Sequence, residues 1–118
     1  MEKNLLPACP VETTLRLIGN KWKIFVLREL LPGVKRFGEL QKAIPGISQK
    51  VLTQNLRAME KDGLVVREVF AEVPPRVEYR LSELGHTLRP IIAGLWDWGM
   101  RYKKGFSEEF PFPPQSGN

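Results

Sequence analysis

The sequence predicts a mainly helical domain carrying one small antiparallel β element. Apolar residues recur at helical spacing in several windows, and these are separated by breakers such as Pro32-Gly33, Pro45-Gly46 and Gly63. Only residues 64–69 and 77–81 are β-branched or alternating, and Pro74-Pro75 between them belongs in a hairpin tip because proline cannot donate to a ladder. A third observation concerns residues 48–62, a helix marked at both ends and divided into two faces. Ser48 offers a cap for the first free amides, and Gly63 can take the left-handed conformation that closes the last turn. At about 100° per residue, Leu52, Leu56 and Met59 share one stripe, whereas Lys50, Thr53, Gln54, Arg57 and Lys61 gather opposite. One face suits a core and the other a polyanion.

In chain order, residues 1–8 form a short lead, and Cys9-Pro10-Val11-Glu12 begins a helix with proline in its first turn and an acid near its positive end. Val11, Leu15 and Ile18 give this helix an apolar stripe. Gly19-Asn20 breaks it, since both residues tolerate positive φ. Trp22, Ile24, Phe25, Leu27, Leu30 and Leu31 make the next helix apolar around much of its circumference, so it is the expected central helix. Phe37, Leu40 and Ile44 define a helix of two turns that stops at Pro45-Gly46. This helix, a short glycine-containing turn and the two-faced helix form a helix-turn-helix, and the hairpin after it reads as a wing. Ser82 caps a final helix of about residues 82–104, which Pro90 is expected to kink. Its Leu84, Leu88, Ile91, Leu95 and Trp98 repeat like a helix-pairing seam, with Ile92 and Trp96 beside it. That surface predicts dimerisation; the alternative is a terminal helix folded back on its own core. Residues 105–118 are expected to be a mobile tail.

With 118 residues, 42% hydrophobic and 26% charged, the chain has the size of one domain that buries roughly two thirds of its unfolded surface. Its net charge of +5 favours an anionic partner such as nucleic acid. Apolar runs fall short of a membrane span and the N-terminus lacks a signal-peptide pattern, so a cytoplasmic protein is expected. One cysteine and one histidine leave no multi-thiolate or histidine-rich metal site and no internal disulfide, and the expectation is no cofactor. No carboxylate pair, nucleophile with base or phosphate loop points to an enzyme.

On these blocks the chain resembles the HxlR-type transcriptional regulators, bacterial winged helix-turn-helix proteins related to the MarR group. The likeness covers roughly residues 9–103 and rests on Cys9-Pro10, Gly19-Asn20-Lys21-Trp22-Lys23 and Arg36-Phe37-Gly38-Glu39-Leu40. It continues through Ile47-Ser48-Gln49-Lys50-Val51-Leu52-Thr53 and Pro75-Arg76-Val77-Glu78-Tyr79-Arg80-Leu81. Asn20 stands where the family commonly has a second glycine, and Gly38 where it often has asparagine. The fold class is therefore mainly α with a small β wing, a winged helix-turn-helix expected to be dimeric through its terminal helices. The resemblance implies a homodimer on a palindromic operator. Lys50, Arg57 and Lys61 can neutralise phosphates, while Thr53 and Gln54 can meet base edges. Ser48, Gln49, Lys50, Thr53, Gln54 and Arg57 are thus the expected DNA-contacting residues, with Gln54 and Arg57 the prime base readers. Arg76 and Arg67 would carry the wing to the minor groove, and Lys35, Arg36 and Lys61 would clamp the backbone. Arg80 stands in an alternating strand, where a solvated role competes with a phosphate contact. Leu88, Ile91, Ile92, Leu95, Trp96 and Trp98 are the expected dimer interface.

Cys9 immediately precedes a helix, where free amides and the dipole favour thiolate, although Glu12 opposes it. Some family members respond to electrophiles or oxidants through a cysteine near this position, so the resemblance admits a redox sensor; the other reading is a small capping or packing residue. The expected function is sequence-specific transcriptional regulation on double-stranded DNA, modulated by thiol modification or a small ligand between the helices. The competing class is a winged-helix module that holds a protein partner through Trp96 and Trp98.

Overall fold

In a computed structural model the structure describes residues 6–105. The expected lead and tail fall largely on residues 1–5 and 106–118, outside the described residues. The elements are α1 (Pro10–Ile18), α2 (Lys21–Leu30), β1 (Lys35–Arg36), α3 (Phe37–Ala43), α4 (Gln49–Lys61), β2 (Val65–Phe70), β3 (Arg76–Leu81), α5 (Glu83–His86) and α6 (Arg89–Lys103). The three strands form one antiparallel sheet in the order β1-β3-β2. Two strands were expected from the sequence and the third was missed, because a two-residue strand is too short to show alternation.

The core sits where α2, α3, α4 and the sheet converge, and α2 packs against α1, α3, α4, α6 and β3. Val26, Leu27, Leu30, Leu40, Ile44, Leu52, Leu56 and Met59 are fully buried there. Each such side chain contributes roughly 1.5–3 kcal/mol by leaving water, so α2 and α4 are locked together by their apolar stripes. Of the stripe on α1 only Ile18 enters this core; Val11 and Leu15 remain 65% and 59% exposed.

Local chemistry sets the ends of the helices. Ser48 accepts from the Val51 amide at 3.1 Å and starts α4. Gly63, at φ +81, ends α4, with the Leu64 amide reaching the Met59 carbonyl at 2.9 Å and the Gly63 amide reaching Glu60 at 3.0 Å. That pair of bonds is a Schellman closure, and the buried Leu64 and Met59 supply its apolar contact. Glu39 accepts from the Arg36 amide at 2.8 Å, which begins α3 without help from Gly38. The Ser82 hydroxyl donates to the Gly63 carbonyl while accepting from the Gly85 amide, so α5 is pinned to the end of α4. A Cβ at Gly85 would overlap the Leu64 carbonyl, which leaves glycine as the fitting residue.

Two expectations are corrected. Gly19 and Asn20 break the chain without positive φ: Gly19 lies at φ −74, and Asn20 is extended at φ −101 and caps α2, its side chain accepting from the Lys23 amide. The expected single helix of residues 82–104, kinked at Pro90, is instead two helices. Thr87 and Leu88 separate them, and Pro90 lies in the first turn of α6, where its missing N–H has no intrahelical partner to lose. Among the described residues no helix is long and apolar enough to cross a membrane.

Candidate nucleic-acid interface

The outward face of α4 and the near face of the sheet carry two adjoining depressions that share Thr53 and Arg57. Ser48, Gln49, Lys50, Thr53, Gln54 and Arg57 line a shallow depression of about 590 Å³ along the first three turns of α4. Every one of them was expected at the DNA. Thr53 and Arg57 also line a second depression of about 330 Å³, whose other walls are Leu56, Glu60, Arg67 and Tyr79. The face is assembled by the same periodicity that buries Leu52, Leu56 and Met59 on the other side of α4. Lys61 ends α4 and is exposed, but it lines neither depression.

Sheet register decides which wing residues belong to this face. Lys35 pairs with Tyr79 and Tyr79 with Arg67, so these three side chains form one row across β1, β3 and β2 on the side of α4. Arg36 pairs with Glu78 and Glu78 with Glu68, so Arg36 lies on the opposite face among carboxylates. Of these, Arg67 lines the depression beside α4; Lys35 shares its sheet face but lines neither depression, and Arg36 lies on the other face. Arg80, opposite Val66, also belongs to the far face.

Arg76 departs from its expected place as a projecting minor-groove reader. Its guanidinium is held by Glu72 at 3.3 Å and Glu78 at 3.0 Å, and it covers the Phe70 ring at 4.0 Å. Phe70 is its cross-strand partner, so the register itself folds Arg76 back along the hairpin. The tip, residues 71–75, is exposed and contains no lysine or arginine.

Glu60 lines the second depression, where its carboxylate moderates the positive field beside Arg57 and Arg67. Sequence reasoning missed a side-chain bridge behind the face, in which Asn20 Nδ2 donates to Asn55 Oδ1 at 3.2 Å. The preference of asparagine for helix N-caps was the available signal for Asn20.

Cys9 is exposed and occupies the N-cap position of α1, as its place before Pro10 required. On α6, Ile91, Leu95, Trp96 and Trp98 are exposed together with Met100 and Tyr102, and Trp98 stacks on Tyr102 with centroids 5.3 Å apart. Ile92, expected at a dimer interface, belongs to the chain's own core at 6% exposure, and Leu88 packs against that core. Both turn inward because they lie on the side of α6 that meets α2. Between α2 and α6 runs an apolar groove of about 360 Å³, walled by Ile24, Phe25, Leu31, Ile92, Leu95 and Trp96.

A helix-turn-helix with a basic outward helix and an adjoining hairpin defines a winged-helix DNA-binding regulator. Residues 17–106 match the model of the HxlR-like helix-turn-helix family, and the chain belongs to that family of transcriptional regulators. It is 54% identical over 95 residues to the HTH-type transcriptional regulator YdeP of Bacillus subtilis (strain 168), covering 80% of this chain and 74% of that one. It is 49% identical over 94 residues to an HTH-type transcriptional regulator of Methanothermobacter thermautotrophicus, covering 80% and 72%. Among solved structures it is similar to the redox regulator HypR in its oxidised form, with 49% identity, a TM-score of 0.76 and coverage of 78% and 95%. It is likewise similar to diamide-treated YodB from B. subtilis, with 32% identity, a TM-score of 0.66 and coverage of 89% and 97%.

Proposed function

We propose that this regulator binds a palindromic operator as a homodimer, with α4 of each subunit in the major groove. The observation that carries this reading is the gathering of Ser48, Gln49, Lys50, Thr53, Gln54 and Arg57 on one concave face, with Arg67 across the adjoining depression. Gln54 and Arg57 meet base edges, and the amides at the start of α4 together with Lys50 and Arg67 meet phosphates. In the dimer the two recognition helices stand about 34 Å apart, one turn of the duplex. The exposed apolar face of α6 supports the pairing of subunits.

The test is selection of an operator from a random duplex library with the full-length protein, then anisotropy titration against the selected and a scrambled duplex. Arg57→Glu should abolish the preference while leaving the thermal transition unchanged. With about six to ten phosphates neutralised, affinity should fall with salt at a logarithmic slope of roughly −0.9 per contact. Equal affinity for both duplexes, or a flat salt response, would overturn the reading.

Thiol modification of Cys9 is the proposed input. Cys9 is exposed, and the similar structures include a redox regulator in oxidised and reduced forms and a diamide-treated regulator. A Cys9 thiolate attacks a low-molecular-weight disulfide, forming the mixed disulfide and releasing one thiolate. With one cysteine per chain, the only protein disulfide open to a dimer joins the two copies of Cys9. α2 offers the route to DNA, since it packs against both α1, which begins beside Cys9, and α4. Oxidised glutathione should weaken operator binding by the wild type and leave Cys9→Ser unaffected; an equal response in both excludes this input.

A further inference from the structure

We infer that Asn20 and Asn55 act as a positioning pair that sets the bearing of the recognition helix on α2, and thereby sequence discrimination. The inference rests on the proposed reading of α4 as the helix that reads DNA. Asn20 is the N-cap of α2, and its Oδ1 accepts from the Lys23 amide at 2.9 Å. A backbone amide can only donate, so the Asn20 carbonyl oxygen must face it and the amino group must face outward. That amino group donates to Asn55 Oδ1 at 3.2 Å. Asn55 is oriented by the same logic: its Nδ2 donates to the Val51 carbonyl at 2.8 Å, and a carbonyl can only accept. Both amides are thus fixed by backbone partners, and the bond between them joins the backbone at the start of α2 to the first turns of α4.

The place of this bridge gives it leverage. Leu52, Leu56 and Met59 bury α4 in the core and set which side of it faces inward. A directional bond at the edge of that buried stripe adds a fixed bearing that a small rotation would break. Asn55 adjoins Gln54 in sequence and stands two residues before Arg57, while Val51, whose carbonyl it holds, stands between Lys50 and Leu52. A small rotation of α4 would therefore move Gln54 and Arg57 relative to base edges while leaving the charge of the face unchanged. Base reading depends on that geometry, whereas phosphate attraction tolerates its loss.

Three variants separate this role from helix capping. Asn20→Ser retains an oxygen for the Lys23 amide but is too short to reach Asn55. Asn55→Ala removes the far partner and leaves the cap of α2 intact. The double variant closes the cycle. The readouts are affinity for an operator selected with the full-length wild type, affinity for a scrambled duplex, and the thermal midpoint.

Each single variant should lower the preference for the selected duplex by about three- to tenfold, the effect of one hydrogen bond. Affinity for the scrambled duplex should hold, and the double variant should lose no more than the single ones. Preference retained by Asn20→Ser, losses that add, or equal losses on both duplexes would each overturn the inference. A wild type without any preference would overturn the DNA-reading assignment itself, so the two failures are distinguishable.

Discussion

Arg89 donates from Nη2 to the carbonyl of Leu31 at 3.2 Å, so the first turn of α6 is tied to the C-terminal end of α2. Leu31 is the C-cap residue of α2, and the last carbonyls of a helix lack intrahelical donors. The bond therefore satisfies one of them with a cation at the negative end of the helix dipole. Arg89→Met keeps the aliphatic stem and removes the donor. We expect a loss of about 1 kcal/mol, seen in calorimetry as a fall in Tm of about 4–8 °C. An unchanged Tm would show that water replaces the guanidinium at no cost.

Ser48 combines two roles that substitution can pull apart. Its hydroxyl caps α4 at the Val51 amide, and the same residue lines the basic depression. Ser48→Ala should cost about 1 kcal/mol of stability, whereas Ser48→Asp keeps a capping oxygen and should retain the wild-type Tm. The aspartate nevertheless adds a negative charge where a phosphate is expected, so operator affinity should drop with Ser48→Asp more than with Ser48→Ala. Thermal melts beside anisotropy titrations decide it; parallel losses in both assays would mean that Ser48 acts only through stability.

The wing divides its arginines in a way that salt titration can read. Arg67 opens on the depression shared with Arg57, while Arg76 is engaged by Glu72, Glu78 and the Phe70 ring. Arg67→Ala should weaken binding to selected and scrambled duplexes alike and reduce the salt slope by about one. Arg76→Ala should leave the slope unchanged and lower Tm slightly, since partly exposed ion pairs contribute about 0–1 kcal/mol. The reverse pattern would mean that the hairpin releases Arg76 to the duplex.

The elements that proved legible are those whose evidence is local. Ser48 and Gly63 mark α4 from both ends, and the spacing of Leu52, Leu56 and Met59 states which side is buried, so the outward side of α4 follows from one short window. What escaped depends on pairing between distant residues. The two residues of β1 are a strand only because Tyr79 and Glu78 stand beside them, and that same pairing sends Lys35 and Arg36 to opposite faces. Arg76 looked like a projecting cation until Phe70, Glu72 and Glu78 were placed around it. Ile92 shows the limit on α6: a seam can be read from period alone, but which of two adjacent apolar rows meets α2 depends on the packing angle of the helix.

The change in exposure along α6 is itself testable. Ile92 lies inside the chain's own core at 6% exposure, while Leu95 and Trp96, one turn further along the wall of the α2–α6 groove, are 49% and 63% exposed. A charge at Leu95 can stay in water in an isolated subunit but would be buried without a partner in a dimer formed through this face. Leu95→Glu should therefore leave the Tm of dilute protein close to that of a monomer while abolishing self-association. Ile92→Ala should behave in the opposite way, losing about 2–5 kcal/mol through a cavity while still assembling. Sedimentation equilibrium should give twice the chain mass of 13.5 kDa for the wild type and Ile92→Ala, and a single chain mass for Leu95→Glu. Operator affinity should follow the assembly state, because one subunit covers only half of a two-fold site. A Leu95→Glu protein that still sediments as a dimer would place the subunit contact elsewhere, with the exposed Val11 and Leu15 of α1 the next surface to substitute.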